Sequence, residues 1–126
     1  MLKGLLAGGI TMGIAAVFPE ALVLSFFAGV LGLAAGIYPG IAMANSMNGR
    51  PTLEWTVAVT LLCLGLAGLW LSPLFLAGAW LLHWIWSLLH RFTALGDGLP
   101  DGYPEFCFLY DLVVAGFVVY VGAVGA

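Results

Sequence analysis

The sequence predicts an all-α integral membrane bundle of five transmembrane helices, and three observations carry that prediction. Of the 126 residues, 63% are apolar and only 7% are charged, with a mean hydropathy of +1.15. Six acidic and three basic side chains cannot cover the surface of a soluble core of this length. The polar and proline positions also cut the chain into apolar runs of roughly 17 to 25 residues, the length that crosses a bilayer as a helix with its backbone bonds satisfied internally. One domain, 1–126, accommodates this length, and the lipid bilayer is the partner that the composition implies. A sequence pI near 4.9 with three scattered cations leaves no basic patch for nucleic acid.

The spans fall at about 2–18, 21–44, 53–71, 74–91 and 105–125. Lys3 ahead of an apolar run resembles the start of a signal peptide, but "VFPEA" offers no clear small-x-small cleavage site, so the run is kept as span one. Only Ser72 and Pro73 divide spans three and four, and a single kinked helix is the competing reading there. With five spans, the N-terminus and the loops "NSMNGRP" and "RFTALGDGLPDGYP" share one side, which collects Lys3, Arg50 and Arg91. Short cytoplasmic loops concentrate Lys and Arg, so the N-terminus is placed inside, in a multi-pass protein of the cytoplasmic (inner) membrane. Glu20 is the one charge expected on the other face.

Glycine patterns the first two spans. Gly29, Gly32, Gly36 and Gly40 recur at steps of three and four, and Gly4, Gly8, Gly9 and Gly13 behave similarly. Such faces let helix backbones approach closely, within one chain or between two copies in a homo-oligomer. Pro39 predicts a kink near the end of span two. There is no internal repeat of the kind that builds inverted-repeat transporters.

The two histidines of the chain both sit in "HWIWSLLH". His83, Ser87 and His90, at i, i+4 and i+7, form one polar stripe about 10 Å long, which must face the bundle because lipid offers imidazole no partner. Trp80, Trp84 and Trp86 fall on other faces of the same span, toward lipid or packing partners. Span five answers with Cys107, Asp111, Val114 and Val118 along one line. Counted at 1.5 Å per residue, His83 and Asp111 lie about 12 and 9 Å from the cytoplasmic ends of their spans and can meet across an antiparallel pair. Nearer the mouth come His90, Cys107 and Glu54, with Tyr103, Glu105, Asn45 and Asn48 around the rim; Tyr110 is a further candidate for binding or proton relay. Spans three, four and five are therefore expected to enclose a polar cavity open to the cytoplasm.

An imidazole beside a carboxylate inside a membrane has a structural use and several functional ones. A His83–Asp111 hydrogen bond alone locks two helices by about 1–2 kcal/mol. Ionisable residues buried in a bilayer also mark proton paths, ion paths and metal sites. His83, His90, Asp111, Cys107 and Glu54 include enough ligand types for zinc or a non-haem iron, yet histidines about 10 Å apart along one helix cannot share an ion whose metal–nitrogen bonds span about 2 Å. A lone membrane histidine is a weak signal for haem. Ser87 suits a proton relay; a catalytic serine would need a nucleophile elbow that is missing here. Three classes follow: a site that binds or moves a small solute, ion or proton; a membrane-embedded, metal-dependent enzyme on a lipid-like substrate; and an accessory or structural subunit of a membrane complex.

The stretches "IYPGIAMANSMNGRP", "LHWIWSLLHRF" and "LPDGYPEFCFLYD" resemble, over the full length, a family of small bacterial polytopic membrane proteins without an assigned function. The shared features are Tyr38 and Gly40, the acidic Glu54, a His-x6-His helix with His83 and His90, and a Tyr-Pro-x-Phe-Cys-x-x-Tyr-Asp start to the last span. That last motif is Tyr103, Pro104, Phe106, Cys107, Tyr110 and Asp111 in this chain. The chain departs from the pattern at Ser87, where the family tends to carry an acid, and at Arg91, where it tends to carry a histidine. The resemblance implies a common polar cluster and fold and names no reaction.

Overall fold

The structure, a computed structural model, describes residues 2–44, 50–93 and 99–125. Among them are five α-helices and no strand: α1 (Leu2–Ala15), α2 (Glu20–Ala44), α3 (Arg50–Trp70), α4 (Pro73–Phe92) and α5 (Tyr103–Gly125). Four of these, α2 to α5, are long and apolar enough to cross a membrane. The first helix stops at Ala15 rather than continuing to residue 18; with 14 residues it is about 21 Å long, shorter than a hydrocarbon core of about 30 Å. Asn45 and Asn48 lie outside the described residues.

The divide between α3 and α4 is a true helix end. The Ser72 hydroxyl accepts the backbone N–H of Leu74 at 3.4 Å, and Pro73 occupies the first helical turn, where its missing donor costs nothing. The chain folds back sharply enough that a Cβ on Gly68 would stand 2.6 Å from the backbone nitrogen of Leu76. The kinked-helix reading is thereby excluded. By contrast α2 runs without interruption through Pro39, which is itself buried.

Neighbouring helices pack in the order α1, α5, α4, α3, α2, with α2 also touching α4. Close backbone packing does not join α2 to α5; that seam is bridged by rings such as Phe27 and Phe117, 5.4 Å apart. The core follows helical stripes: Phe27, Leu31, Ala35, Tyr38 and Ala42 on α2, and Glu54, Ala58 and Leu61 on α3. Trp80, fully buried on α4, stands in the middle; of the lipid and packing partners expected for it, it meets the latter.

Glycine is used differently from the expectation. Gly4 and Gly8 bring α1 onto α5, where a Cβ would meet the Phe106 carbonyl oxygen at 2.6 Å and the Val113 side chain at 2.9 Å. The second close approach comes from Gly65 and Gly68 of α3, against Leu31 and Leu76. Gly29, Gly36 and Gly40 of α2 meet nothing within 4 Å, because they lie opposite the face that Phe27, Leu31 and Tyr38 bury.

This contrast is measurable by unfolding in detergent. Gly68→Ala is expected to destabilise by about 1–3 kcal/mol, since its Cβ would press on backbone that cannot rotate away. Gly36→Ala should leave stability unchanged or raise it by up to about 1 kcal/mol through helix propensity.

Candidate functional site

The polar stripe of α4 does turn inward, and it holds two carboxylates from two different helices. His83 Nδ1 lies 2.7 Å from Asp111 Oδ2 of α5, and the Ser87 hydroxyl donates to the same oxygen at 2.7 Å. One turn nearer the charged end, His90 Nε2 lies 2.6 Å from Glu54 Oε1 of α3. All five of these side chains are at most 2% exposed. Seven residues along α4 turn the helix through nearly two revolutions, so the two imidazoles share a side but reach opposite neighbours.

The pairs differ in how completely they are satisfied. In the His90–Glu54 pair every polar atom is used: Trp86 donates its indole N–H to Glu54 Oε2 at 2.9 Å, and His90 Nδ1 lies 2.8 Å from the Trp86 carbonyl oxygen. A carbonyl only accepts, so Nδ1 carries a hydrogen, and one further proton must lie on the 2.6 Å line between Nε2 and Oε1. The His90–Glu54 pair thus holds a proton and is neutral as a unit. In the His83–Asp111 pair, Nδ1–H donates to the carboxylate, while His83 Nε2 and Asp111 Oδ1 are buried without a partner. Two polar atoms of this pair are therefore left open in the interior, where a bonding partner is favoured.

Tyr38 of α2 connects the two. Its ring stacks on His90 with centroids 4.1 Å apart, lies 6.0 Å from the His83 ring, and meets Tyr103 edge-on at 5.6 Å. Its hydroxyl is a third buried polar group without a partner.

Two cavities approach the cluster from different sides. A polar recess of about 220 Å³ at the α4–α5 turn is lined by His90, Arg91, Asp101 and Glu105. Arg91 Nε is paired there with Glu105 at 2.8 Å. The second cavity, about 290 Å³, is a slot in the α2–α5 seam; His83, Asp111 and Cys107 line it beside Val30, Phe106 and Tyr110. The slot lies in the α2–α5 seam, not between α3, α4 and α5 where the sequence placed a polar cavity, and its walls are mainly apolar. A larger recess of about 580 Å³ near Glu20, at the opposite end, touches none of the buried ionisable residues.

Of the residues singled out in the sequence, His83, Ser87, His90, Glu54 and Asp111 are brought together as two pairs. Cys107 and Tyr103 stand beside them in the slot, while Tyr110 is held toward α1, its hydroxyl 3.0 Å from Thr11 Oγ1. Cys63 is exposed and apart. Four of the five proposed metal ligands are split between the pairs and Cys107 belongs to neither, and among the described residues no group of three His, Cys, Asp or Glu side chains is arranged to hold an ion. Tyr38 and Trp86 are the members that the stripe analysis did not place. Tyr38 had a signal, since it is part of the motif at the end of α2; Trp86 had none, because its ring leaves the polar stripe before its N–H turns back to Glu54.

Trp86→Phe leaves Glu54 Oε2 without a donor and is expected to lower stability by about 1–3 kcal/mol. Trp84 supplies the control: its indole N–H is buried without a partner, and its ring stacks on Phe108 at 5.7 Å, a contact that phenylalanine can keep. Trp84→Phe should therefore be neutral or stabilising in the same thermal unfolding assay.

No family model, curated protein or solved structure matches the chain, so the chemistry of this site rests on its own atoms.

Proposed function

We propose that the protein is a five-span protein of the cytoplasmic membrane, N-terminus inside, in which the His83–Asp111 pair binds a small ligand or a proton. His90 and Glu54 connect it to the aqueous side. In this reading α1 is the fifth span, lengthened by the apolar Ala16, Val17 and Phe18. Lys3, Arg50 and Arg91 then share the cytoplasmic face with the recess that reaches His90. The observation that carries the reading is the asymmetry between the pairs: one is saturated, and the other keeps two unpartnered buried polar atoms. Saturated pairs lock helices; an unfilled pair in a membrane interior is a place for something to bind. The residues that carry the resemblance to the small bacterial membrane family, among them Tyr38, Glu54, His83, His90 and Asp111, are the ones gathered here. Two copies associating through the glycine face of α2 belong to the same picture, since a Cβ at Gly29, Gly36 or Gly40 would meet nothing within one chain.

A second reading, an enzyme acting on a lipid-like substrate, is favoured by one feature. The slot has apolar walls, and a carboxylate-oriented imidazole at its base is the arrangement of a general base. This form needs no metal, and the metal-dependent form lacks a ligand set among the described residues.

Proton binding is tested in liposomes carrying an internal pH-sensitive dye. Wild-type protein should take up or conduct protons in response to a pH step, and His83→Ala and Asp111→Asn should both abolish the response. Identical traces from all three, matching protein-free vesicles, would exclude the reading. Elemental analysis of the detergent-purified protein is expected to show no stoichiometric zinc or iron; near-equimolar metal lost in His83→Ala would move the metal-dependent enzyme to first place.

A further inference from the structure

The slot narrows what its ligand can be, an inference that rests on His83–Asp111 being a binding site. Three properties of the slot act together: where it opens, what its base offers, and which charges it lacks.

Its outer lip belongs to the lipid-facing surface. Leu33 and Ile37 of α2, which line it, are 75% and 42% exposed. In a bilayer such side chains face acyl chains, so the slot is reached from the hydrocarbon and not from water. At its base lie His83 and Asp111. With His83 Nδ1 committed to Asp111, His83 Nε2 and Asp111 Oδ1 are the two polar atoms left open, and the carboxylate oxygen is an acceptor. A ligand that satisfies them must bring a hydrogen-bond donor. No Lys or Arg is among the lining residues, so a phosphate or carboxylate head would meet the Asp111 carboxylate without a compensating cation. Anionic lipids are therefore disfavoured by charge. At about 290 Å³ the slot sits at the low end of small-molecule sites, which run from roughly 300 to 1,000 Å³. It has room for a compact head and the first carbons of a chain, the rest of which must remain in the bilayer.

We propose that the slot binds the hydroxyl head of a neutral, bilayer-dissolved lipid. The hydroxyl, donor and acceptor at once, donates to Asp111 Oδ1 and pairs with His83 Nε2, and the chain leaves past Leu33 and Ile37. Long-chain or prenyl alcohols and the phenolic heads of alkyl hydroquinones share this chemistry.

The test is photo-crosslinking of full-length protein in nanodiscs with a diazirine-bearing long-chain alcohol. The competitors are farnesol, farnesyl methyl ether, farnesyl phosphate and a decyl-substituted hydroquinone. Label is expected in α2 and α5 peptides. An uncharged hydroxyl compound should compete, the ether should be at least about tenfold weaker because it leaves the acceptors unpaired, and the phosphate weaker still. The stronger of farnesol and the hydroquinone identifies the aliphatic or phenolic source. Because His83→Ala disturbs a buried pair, Ile37→Trp serves as a second variant. It fills the lip from an exposed position, and should abolish labelling without changing the melting temperature. Equal competition by ether and farnesol, preference for the phosphate, or labelling unaffected by Ile37→Trp would each overturn the proposal. Proton uptake that persists while labelling proves unspecific would refute the lipid ligand and leave the His83–Asp111 site standing; loss of both would remove the site reading itself.

Discussion

Four ionisable side chains buried away from water are the constraint around which this bundle is arranged. In an aqueous protein a buried histidine or carboxylate can borrow a solvent molecule; among apolar helices in a bilayer it cannot, and an unpaired charge is costly enough to dictate helix positions. The α4 stripe answers by reaching both ways, to α5 through Asp111 and to α3 through Glu54. Because the two contacts leave the same helix about two turns apart, they fix both the rotation of α4 and the heights of its neighbours. Ser87, between the histidines, adds a donor to Asp111 and strengthens the weaker of the two arrangements.

Small residues make these contacts reachable. A hydrogen bond of 2.6–2.7 Å between side chains on neighbouring helices demands axes held at a fixed distance, and Gly65 and Gly68 set that distance for α3 as Gly4 and Gly8 do for α1. Alanine stripes continue the same logic, with Ala35 and Ala42 on α2, Ala58 on α3 and Ala77 and Ala79 on α4 all buried. Where α2 meets α5 there is no such pairing of small residues, and the gap is spanned by aromatic rings. The slot exists because that seam is the one the backbone does not close.

The cluster consequently lies between two environments. On one side a polar recess reaches His90; on the other an apolar slot reaches His83; the Tyr38 ring touches both imidazoles. The filled pair lies next to the polar recess and the unfilled pair next to the apolar slot, and the proposed ligand site rests on that difference. Helix locking alone would give no reason to leave His83 Nε2 and Asp111 Oδ1 without partners, since burying unsatisfied polar atoms weakens a lock.

Much of the helical layout was legible from residue order. Hydropathy marked where apolar runs begin and end, Ser72 and Pro73 marked a helix start because capping and a fixed φ are local properties, and a period of 3.6 put His83, Ser87 and His90 on one face. The matching stripe of Cys107 and Asp111 was legible for the same reason. What residue order could not decide was the choice among neighbours. Which glycines meet a helix depends on the partner's surface, so Gly68 and Gly36 look alike in sequence and differ completely in the bundle. The Trp86 side chain leaves its own helix before turning to Glu54, and Tyr38 meets both histidines only because α2 crosses α4. The slot belongs to no single segment: it is the space left by two helices whose backbones do not pack closely, and only the tertiary structure determines which two those are.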